Sequence, residues 1–311
     1  MRIVMLGATG FIGTNLAISL AGDPNNDIVV VGRNKAHFHA IGSYAFKNVR
    51  FAASDLAADT DYDELVRNAD VVYHLLSSTV PTTSNVHIPE ELKLNVLLSA
   101  NLFEACVREG VKKLVFLSSG GTVYGRDVNC PIKEDTPTNP ISSYGVQKIT
   151  IEKLLFLYSY LYHLDYRIIR LSNPYGPYQR PNGIQGAVTT FTYKALRGEE
   201  ICVYGDGSVV RDYIYIDDAI RGILKIVQGE SRYRTFNLGC GYGTSINSVL
   251  RTIEEALGTE LKVRYLGSRA VDVPENYLDI QRFENAFGKL DPISLETGIK
   301  LTADFMRRYY R

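Results

Sequence analysis

The segment IVMLGATGFIG, residues 3–13, begins as a short apolar run and ends with three glycines at intervals of three. The run is rich in branched side chains and is bounded by glycine, so it predicts a strand over residues 3–6. The residues that follow the glycines predict a helix over residues 11–20. A strand, a glycine turn and a helix in this order form the first half of a βαβ unit.

The same alternation of short apolar runs and helical stretches continues through the first half of the chain. It predicts an α/β fold, with a doubly wound parallel Rossmann sheet and a smaller C-terminal substrate-binding lobe. Predicted strands cover residues 3–6, 28–31, 49–51, 71–75, 114–117 and 166–171, and predicted helices cover 11–20, 62–67, 91–109 and 143–162.

Prolines and glycines cluster between residues 173 and 183, which predicts a long loop leaving the sheet. After the loop we predict a helix over 188–197, a short strand, a polar segment over 212–218 and a final helix from about Thr297. The predicted domains are 1–172 and 173–311, and later segments can cross back to the first domain.

The composition gives no sign of a nucleic-acid or membrane partner. Lys+Arg and Asp+Glu both total 34 in 311 residues, so no net charge attracts nucleic acid or an anionic membrane, and we expect neither as a partner. The four cysteines lie far apart without a C-x-x-C pair, which is typical of thiols in a reducing compartment. Because residues 1–6 are too short for a signal-peptide core, we expect a cytoplasmic protein, and we predict no metal site.

The glycine turn predicts a dinucleotide site. Glycines here allow a tight turn and let backbone N–H groups approach a pyrophosphate, while the helix N-terminus supplies partial positive charge. We therefore expect NAD(P) as cofactor. A purely structural turn is the alternative, and the surrounding βαβ pattern makes it the weaker one.

The end of the second strand bears on the choice between NAD and NADP. An acidic residue is usual there, roughly 20 residues past the glycines, because it binds the adenosine ribose. This chain has Gly32-Arg33-Asn34 instead, which favours NADP. Arg33 can also stack on the adenine or point to solvent. Asp55 can accept the adenine amino group or be a simple loop carboxylate.

Tyr144 and Lys148 form a candidate catalytic pair. They stand four residues apart at the start of a predicted helix, so both project from one face. A free phenol has a pKa of roughly 10, and an adjacent ammonium together with an oxidised nicotinamide would lower it. Such a pair alone is often a solvated helix face, but this one follows a strand that ends in hydroxyl residues. Among these, Thr122 can orient a substrate hydroxyl toward Tyr144.

These motifs together resemble the extended short-chain dehydrogenase/reductase family, most closely its UDP-glucose 4-epimerase-like branch. The resemblance covers nearly the whole chain. It is carried by G-x-x-G-x-x-G at 7–13, Y-x-x-x-K at 144–148, N-P-Y-G at 173–176, V-R-D-Y-I at 210–214 and R-x-x-D at 269–272.

The resemblance implies residue roles. Those expected at the cofactor are Gly7, Gly10, Phe11, Ile12, Gly13, Arg33, Asn34, Asp55, Leu56, Leu75, Asn95, Ser118, Tyr144 and Lys148. Those expected at a nucleotide-diphosphate sugar are Thr122, Asn173, Arg211, Arg269 and Asp272. Guanidinium groups bind phosphate oxygens in pairs, although each arginine taken singly can equally form a surface salt bridge. Asn276 falls near the position at which epimerases admit or exclude an N-acetyl group.

The resemblance also implies a reaction, in which Tyr144 removes the 4-hydroxyl proton and a transient 4-keto sugar is reduced from its opposite face. Two departures favour an NADPH-dependent 4-keto-6-deoxy-sugar reductase as the alternative: Gly120 replaces a usual serine, and Gly32 replaces the usual acid. A dehydratase ranks lower because Val123-Tyr124 stand where that branch has Asp-Glu. A non-catalytic dinucleotide-binding protein is the remaining alternative.

The helices predicted over 91–109 and 143–162 indicate how the chain assembles. The second is apolar around much of its circumference, more than one buried face requires. Relatives pair through such helices as a four-helix bundle, so we expect a homodimer. Burial under the C-terminal lobe is the alternative.

Overall fold

The computed structural model describes residues 1–33, 38, 46–57, 60–77, 84–181, 186–267 and 273–310. The strands are β1 Arg2–Leu6, β2 Asp27–Gly32, β3 Val49–Ala53, β4 Val71–His74, β5 Lys113–Ser119, β6 Tyr166–Leu171, β7 Asn173–Tyr175, β8 Ile201–Tyr204, β9 Val210–Arg211, β10 Tyr213–Tyr215, β11 Thr235–Leu238, β12 Thr244–Ser245, β13 Val263–Leu266 and β14 Glu275–Asn276.

The helices are α1 Phe11–Ala21, α2 Tyr62–Val66, α3 Ile88–Leu92, α4 Leu98–Arg108, α5 Ser143–Tyr162, α6 Ala187–Arg197, α7 Ile216–Gln228, α8 Ile246–Leu257, α9 Gln281–Phe287 and α10 Leu295–Tyr309. A π-helical turn, Lys93–Leu97, joins α3 to α4. Nowhere in the described ranges is a helix long and apolar enough to cross a membrane.

Within the described residues, seven strands form the central sheet in the order β11-β6-β5-β4-β1-β2-β3. The pairs β1–β2, β1–β4, β2–β3 and β4–β5 are parallel. The α/β prediction is therefore confirmed. Strand β1 lies in the interior of the sheet, and its residues 3–6 are at most 1% exposed. Strands buried on both faces read as continuous apolar runs, which is why the sequence identified them.

The sheet places the glycine turn at a point where the strand order reverses. The chain continues from β1 to β2 on one side, and β4 pairs with the other side of β1. Open α/β sheets bind ligands at the carboxyl ends of the strands beside such a point.

The chain folds into two compact units. The first comprises residues 1–123, 142–169 and 232–235, and the second comprises 124–141, 170–231 and 236–311. In the first unit, α5 has the predicted bounds. The helix predicted over 91–109 was wrong in one respect, because the observed segment runs from 88 to 108 and changes to π-helical geometry at Lys93–Leu97.

In the second unit, the loop predicted from Asn173 was wrong at its start. Residues 173–175 form β7, which pairs in parallel with β10. The polar segment predicted over 212–218 likewise contains β10 and the start of α7. Both short strands are stabilised by pairing between distant segments, which local composition does not report. Strands β12, β9 and β14 form a separate three-stranded sheet. Strands β13 and β8 form a two-stranded sheet.

Candidate active site

The glycine turn after β1 is a close-packed junction between strand and helix. Gly7 has φ +79°, and its N–H donates to the Val31 carbonyl at 3.1 Å. A Cβ at Gly13 would lie 2.3 Å from the Cα of Ala8, so no larger residue fits there without displacement of the backbone. Phe11 and Ile12 open α1 directly after the turn.

The N-terminus of α1 fits a pyrophosphate. Gly10 is its N-cap and supplies no side-chain hydrogen bond to the first turn. Backbone N–H groups at an uncapped N-terminus, together with the helix dipole, attract anions. The turn packs against the next strand end, since a Cβ at Gly7 would lie 3.0 Å from the carbonyl carbon of Leu75. The structure thus brings together the glycines and Leu75, as expected of a dinucleotide site.

Arg33 and Asp55, which are expected to bind the adenosine of the dinucleotide, are exposed to solvent. The Nε of Arg33 lies 3.9 Å from Oδ1 of Asp55, and the two side chains are 80% and 84% exposed. An exposed pair of this kind contributes little to stability and leaves both groups able to contact a ligand. Leu56, next to Asp55, packs partly buried against the main hydrophobic core. Asn34 lies outside the described residues.

Tyr144 and Lys148 lie on one face of α5, as predicted. The ammonium of Lys148 is 5.5 Å from the ring centroid of Tyr144 and 4.7 Å from that of Phe116. It also donates a hydrogen bond to the Leu117 carbonyl at 2.9 Å, which ties the helix to the end of β5. The N-terminus of α5 is capped by Ser142, whose side chain accepts from the N–H of Gly145.

In the chain alone, burial controls the electrostatics of this pair. Burial raises the pKa of Tyr144 to about 12 and lowers the pKa of Lys148 to about 8. The cost of placing a charged group in a buried site outweighs the attraction between phenolate and ammonium in the protein alone. The chain by itself therefore keeps Tyr144 protonated, and a further positive charge is needed to make it a base at neutral pH.

Thr122, three residues beyond β5, carries a hydroxyl that is buried and has no hydrogen-bond partner among the described residues. Buried hydroxyls are normally paired, so an unpaired one at a strand end indicates a ligand contact. Ser118, expected at the cofactor, is 4% exposed and donates to Oε1 of Glu152 at 2.6 Å. Its hydroxyl hydrogen is thus already used within the protein.

Asn95 lies in the π-helical turn, at the centre of a buried polar network. Its side chain donates to the Glu91 carbonyl at 3.1 Å and to Oε1 of Gln147 at 2.6 Å. Gln147 in turn donates to Oε2 of Glu91 at 2.9 Å. The network joins the 88–108 segment to the first turns of α5, and π-helical turns are frequent at functional sites.

In the second unit, Asn173 and Arg211 lie on short strands. The Asn173 side chain donates to the carbonyl of Asp212 at 2.9 Å, and Arg211 donates to the carbonyl of Val210 at 2.8 Å. Asn276 pairs in register with Arg211, is 2% exposed, and has an amide nitrogen without a partner in the described part of the chain. Arg269 and Asp272 lie outside the described residues.

Among the buried carboxylates that were not predicted from the sequence are Glu152 and Asp212. Glu152 stands four residues after Lys148, a spacing that places it on the same helix face and could have revealed it. Asp212 accepts hydrogen bonds from the N–H groups of Cys240, Gly241 and Leu278. Burial raises the pKa of Asp212 to about 6, against the lowering effect of these bonds. Its partners come from distant segments, so no local signal identified it.

Comparison with known proteins defines the class. Residues 3–239 match the model of the NAD dependent epimerase/dehydratase family, and the chain belongs to this family. It is 33% identical over 313 residues to a UDP-glucose 4-epimerase of Mycolicibacterium smegmatis, covering 99% of both chains.

Solved structures agree with this assignment. A UDP-glucose 4-epimerase of Thermotoga maritima, solved with UDP-glucose, has a TM-score of 0.92 at 32% identity and covers 100% of both chains. The UDP-glucose 4-epimerase of Thermus thermophilus, solved with NAD, has a TM-score of 0.87 at 28% identity and covers 99% of both chains. The family and fold predictions are confirmed, and the chain is an enzyme of this family.

Proposed function

We propose that the chain is an NAD(P)-dependent nucleotide-sugar 4-epimerase that acts through a transient 4-keto sugar. The observation that carries the proposal is the convergence at the end of β5. There the Lys148 ammonium donates to the Leu117 carbonyl and lies 5.5 Å from the Tyr144 ring centroid, and the unpaired Thr122 hydroxyl follows three residues beyond the strand. Similarity to UDP-glucose 4-epimerases over 99–100% of the chain supports it.

The chain's own residues carry binding and proton transfer. Gly7, Gly10, Gly13 and the N-terminus of α1 hold the pyrophosphate of the dinucleotide. Bound at this turn, an oxidised nicotinamide would supply the hydride acceptor and a positive charge that favours ionisation of Tyr144. Tyr144 then takes the proton of the sugar 4-hydroxyl and later returns it, while Thr122 orients that hydroxyl. Lys148 stabilises the phenolate.

The substrate we propose is a nucleotide-diphosphate sugar. Residues 173–311 supply the groups for it: Asn173, Arg211 and Arg269 for the diphosphate, and Asp272 for the nucleotide ribose. Residues 1–172 hold the cofactor. The free thiols of all four cysteines support a cytoplasmic location.

A direct assay tests the function. We expect the purified chain to interconvert UDP-glucose and UDP-galactose without added cofactor, because the dinucleotide is reduced and reoxidised in place. Denaturation should release about one NAD per chain. The readouts are the sugar ratio by chromatography and the identity of the released dinucleotide. A chain that purifies without dinucleotide and consumes NADPH with a 4-keto-6-deoxy sugar would show the reductase instead.

We further propose that the enzyme is a homodimer. α5 and the 88–108 segment pack side by side, with the Phe103 and Tyr158 rings 5.7 Å apart. Both present exposed apolar side chains: Leu94, Leu97, Phe156, Leu157, Tyr160 and Leu161 are 45–74% exposed. Apolar patches of this kind on soluble proteins mark interfaces, and a second copy offers a matching face.

Replacing Phe156 and Tyr160 with lysine tests the dimer. Two charges on each copy would have to be buried without partners, so the double variant should be monomeric where the wild type is dimeric. Light scattering after gel filtration measures the mass. Tyr265→Lys, at a residue that is 52% exposed on β13 of the second unit, is the control and should leave the mass unchanged. A monomeric wild type would contradict the proposal.

A further inference from the structure

Lys148 is a cation in an environment that disfavours charge. It is 5% exposed and lies over the Phe116 ring, and its one described acceptor in β5 is the Leu117 carbonyl. Burial is the largest influence on its pKa, which it lowers to about 8. At that value a further small loss of stabilisation would leave the amine neutral near physiological pH, and a neutral amine cannot stabilise a phenolate.

Glu152 opposes this loss. It is 5% exposed, stands one helical turn beyond Lys148, and its negative charge raises the pKa of Lys148. Ser118, at the end of β5, donates a 2.6 Å hydrogen bond to Glu152, and bonds this short to a carboxylate are charge-assisted. This bond fixes the Glu152 side chain, one helical turn from Lys148, to the end of β5.

The other titratable groups described around Lys148 cannot replace Glu152. His74, at the end of β4, has its pKa lowered to about 3 by burial and by the charge of Lys148, so it is neutral. Tyr144 is protonated in the chain alone. Glu91, a second buried carboxylate nearby, is bonded to Gln147 and Ser143, and it is the charge of Glu152 that raises the pKa of Lys148.

We propose that Glu152, fixed by Ser118, is a positioning residue that keeps Lys148 charged beside Tyr144. The proposal rests on the proposed function only for its catalytic consequence, since the charge of Lys148 is a property of the chain itself. The Ser118–Glu152 bond couples the strand end that precedes Thr122 to the helix that carries the catalytic pair.

Removing the negative charge of Glu152 should lower the pKa of Lys148. Glu152→Gln keeps the size and a hydrogen-bond acceptor but removes the negative charge. Lys148 should then lose its proton about one pH unit lower than in the wild type. Ser118→Ala should shift the pKa of Lys148 in the same direction by less, because Glu152 remains but loses the bond that fixes its side chain. Glu64→Gln, an exposed carboxylate on α2, is the matched control and should cause no shift.

The first measurement does not depend on turnover. The full chain as purified, labelled at lysine ¹³Cε, is titrated by NMR, with the Lys148 signal assigned by its loss in Lys148→Arg. We expect its midpoint to fall by about one unit in Glu152→Gln. An unchanged midpoint in Glu152→Gln overturns the proposal, and if that variant does not fold, an unchanged midpoint in Ser118→Ala overturns it.

The second measurement is the pH profile of kcat for epimerisation. Its alkaline limb should move down by about one unit in Glu152→Gln, giving about fivefold lower kcat at pH 8 with little change in KM. A purely structural role would instead lower kcat equally at every pH, and this result contradicts the proposal. If the wild type epimerises no sugar nucleotide, the proposed function fails, while the NMR titration still decides the role of Glu152.

Discussion

Tyr144→Phe should lower kcat for epimerisation by about a thousandfold or more, because general acid–base catalysis by a positioned side chain contributes about 10²–10⁴-fold. The substitution removes one oxygen and leaves the ring against Lys148, where the ammonium lies 5.5 Å from its centroid. Dinucleotide binding should be retained, since the glycine turn and Lys148 are intact. Steady-state kinetics and the dinucleotide content of the purified variant are the two measurements.

Tyr62→Phe is a suitable control for that substitution. Tyr62 is also a buried tyrosine, 4% exposed, and its hydroxyl donates to the Ala57 carbonyl at 3.2 Å. Removing it costs one hydrogen bond, about 1 kcal/mol of stability, and should leave kcat unchanged. If Tyr144→Phe retains kcat within tenfold of the wild type, Tyr144 is not the base and the mechanism is wrong.

The sequence predicted the parts of the site that depend on local pattern. Buried parallel strands read as apolar runs, so β1, β5 and β6 were found within two residues at each end. The glycine spacing identified the turn, and the four-residue spacing of Tyr144 and Lys148 placed both on one face of α5. In each case one short stretch of chain contains all the information needed.

The parts that were missed depend on contacts between distant segments. The Ser118–Glu152 bond joins residues 34 positions apart, and the Asn95–Gln147 bond joins residues 52 positions apart. The raised pKa of Tyr144 in the chain alone likewise comes from burial, which motif spacing does not reveal. Periodicity and motif spacing carry no measure of burial at a single hydroxyl.

Close packing also distinguishes Gly10 from Gly13, although both belong to the same glycine motif. A Cβ at Gly13 would lie 2.3 Å from the Cα of Ala8 and 2.8 Å from its carbonyl atoms, all of them backbone. A Cβ at Gly10 would lie 3.6 Å from the Gly7 carbonyl, an ordinary contact, and Gly10 has φ −84°, which any residue adopts. Gly13 is thus required by helix packing, and we infer that Gly10 serves the approach of a pyrophosphate to the helix N-terminus.

Gly13→Ala should therefore lower the free energy of unfolding by about 3 kcal/mol and abolish dinucleotide binding, because α1 must move away from the turn. Gly10→Ala should keep the wild-type stability and still weaken dinucleotide binding, since the added methyl occupies the surface that the pyrophosphate approaches. Chemical denaturation measures the first property, and the NAD that each variant still releases on denaturation after extensive dialysis measures the second. Equal losses of stability in the two variants would contradict this division of roles, as would wild-type NAD retention in Gly10→Ala.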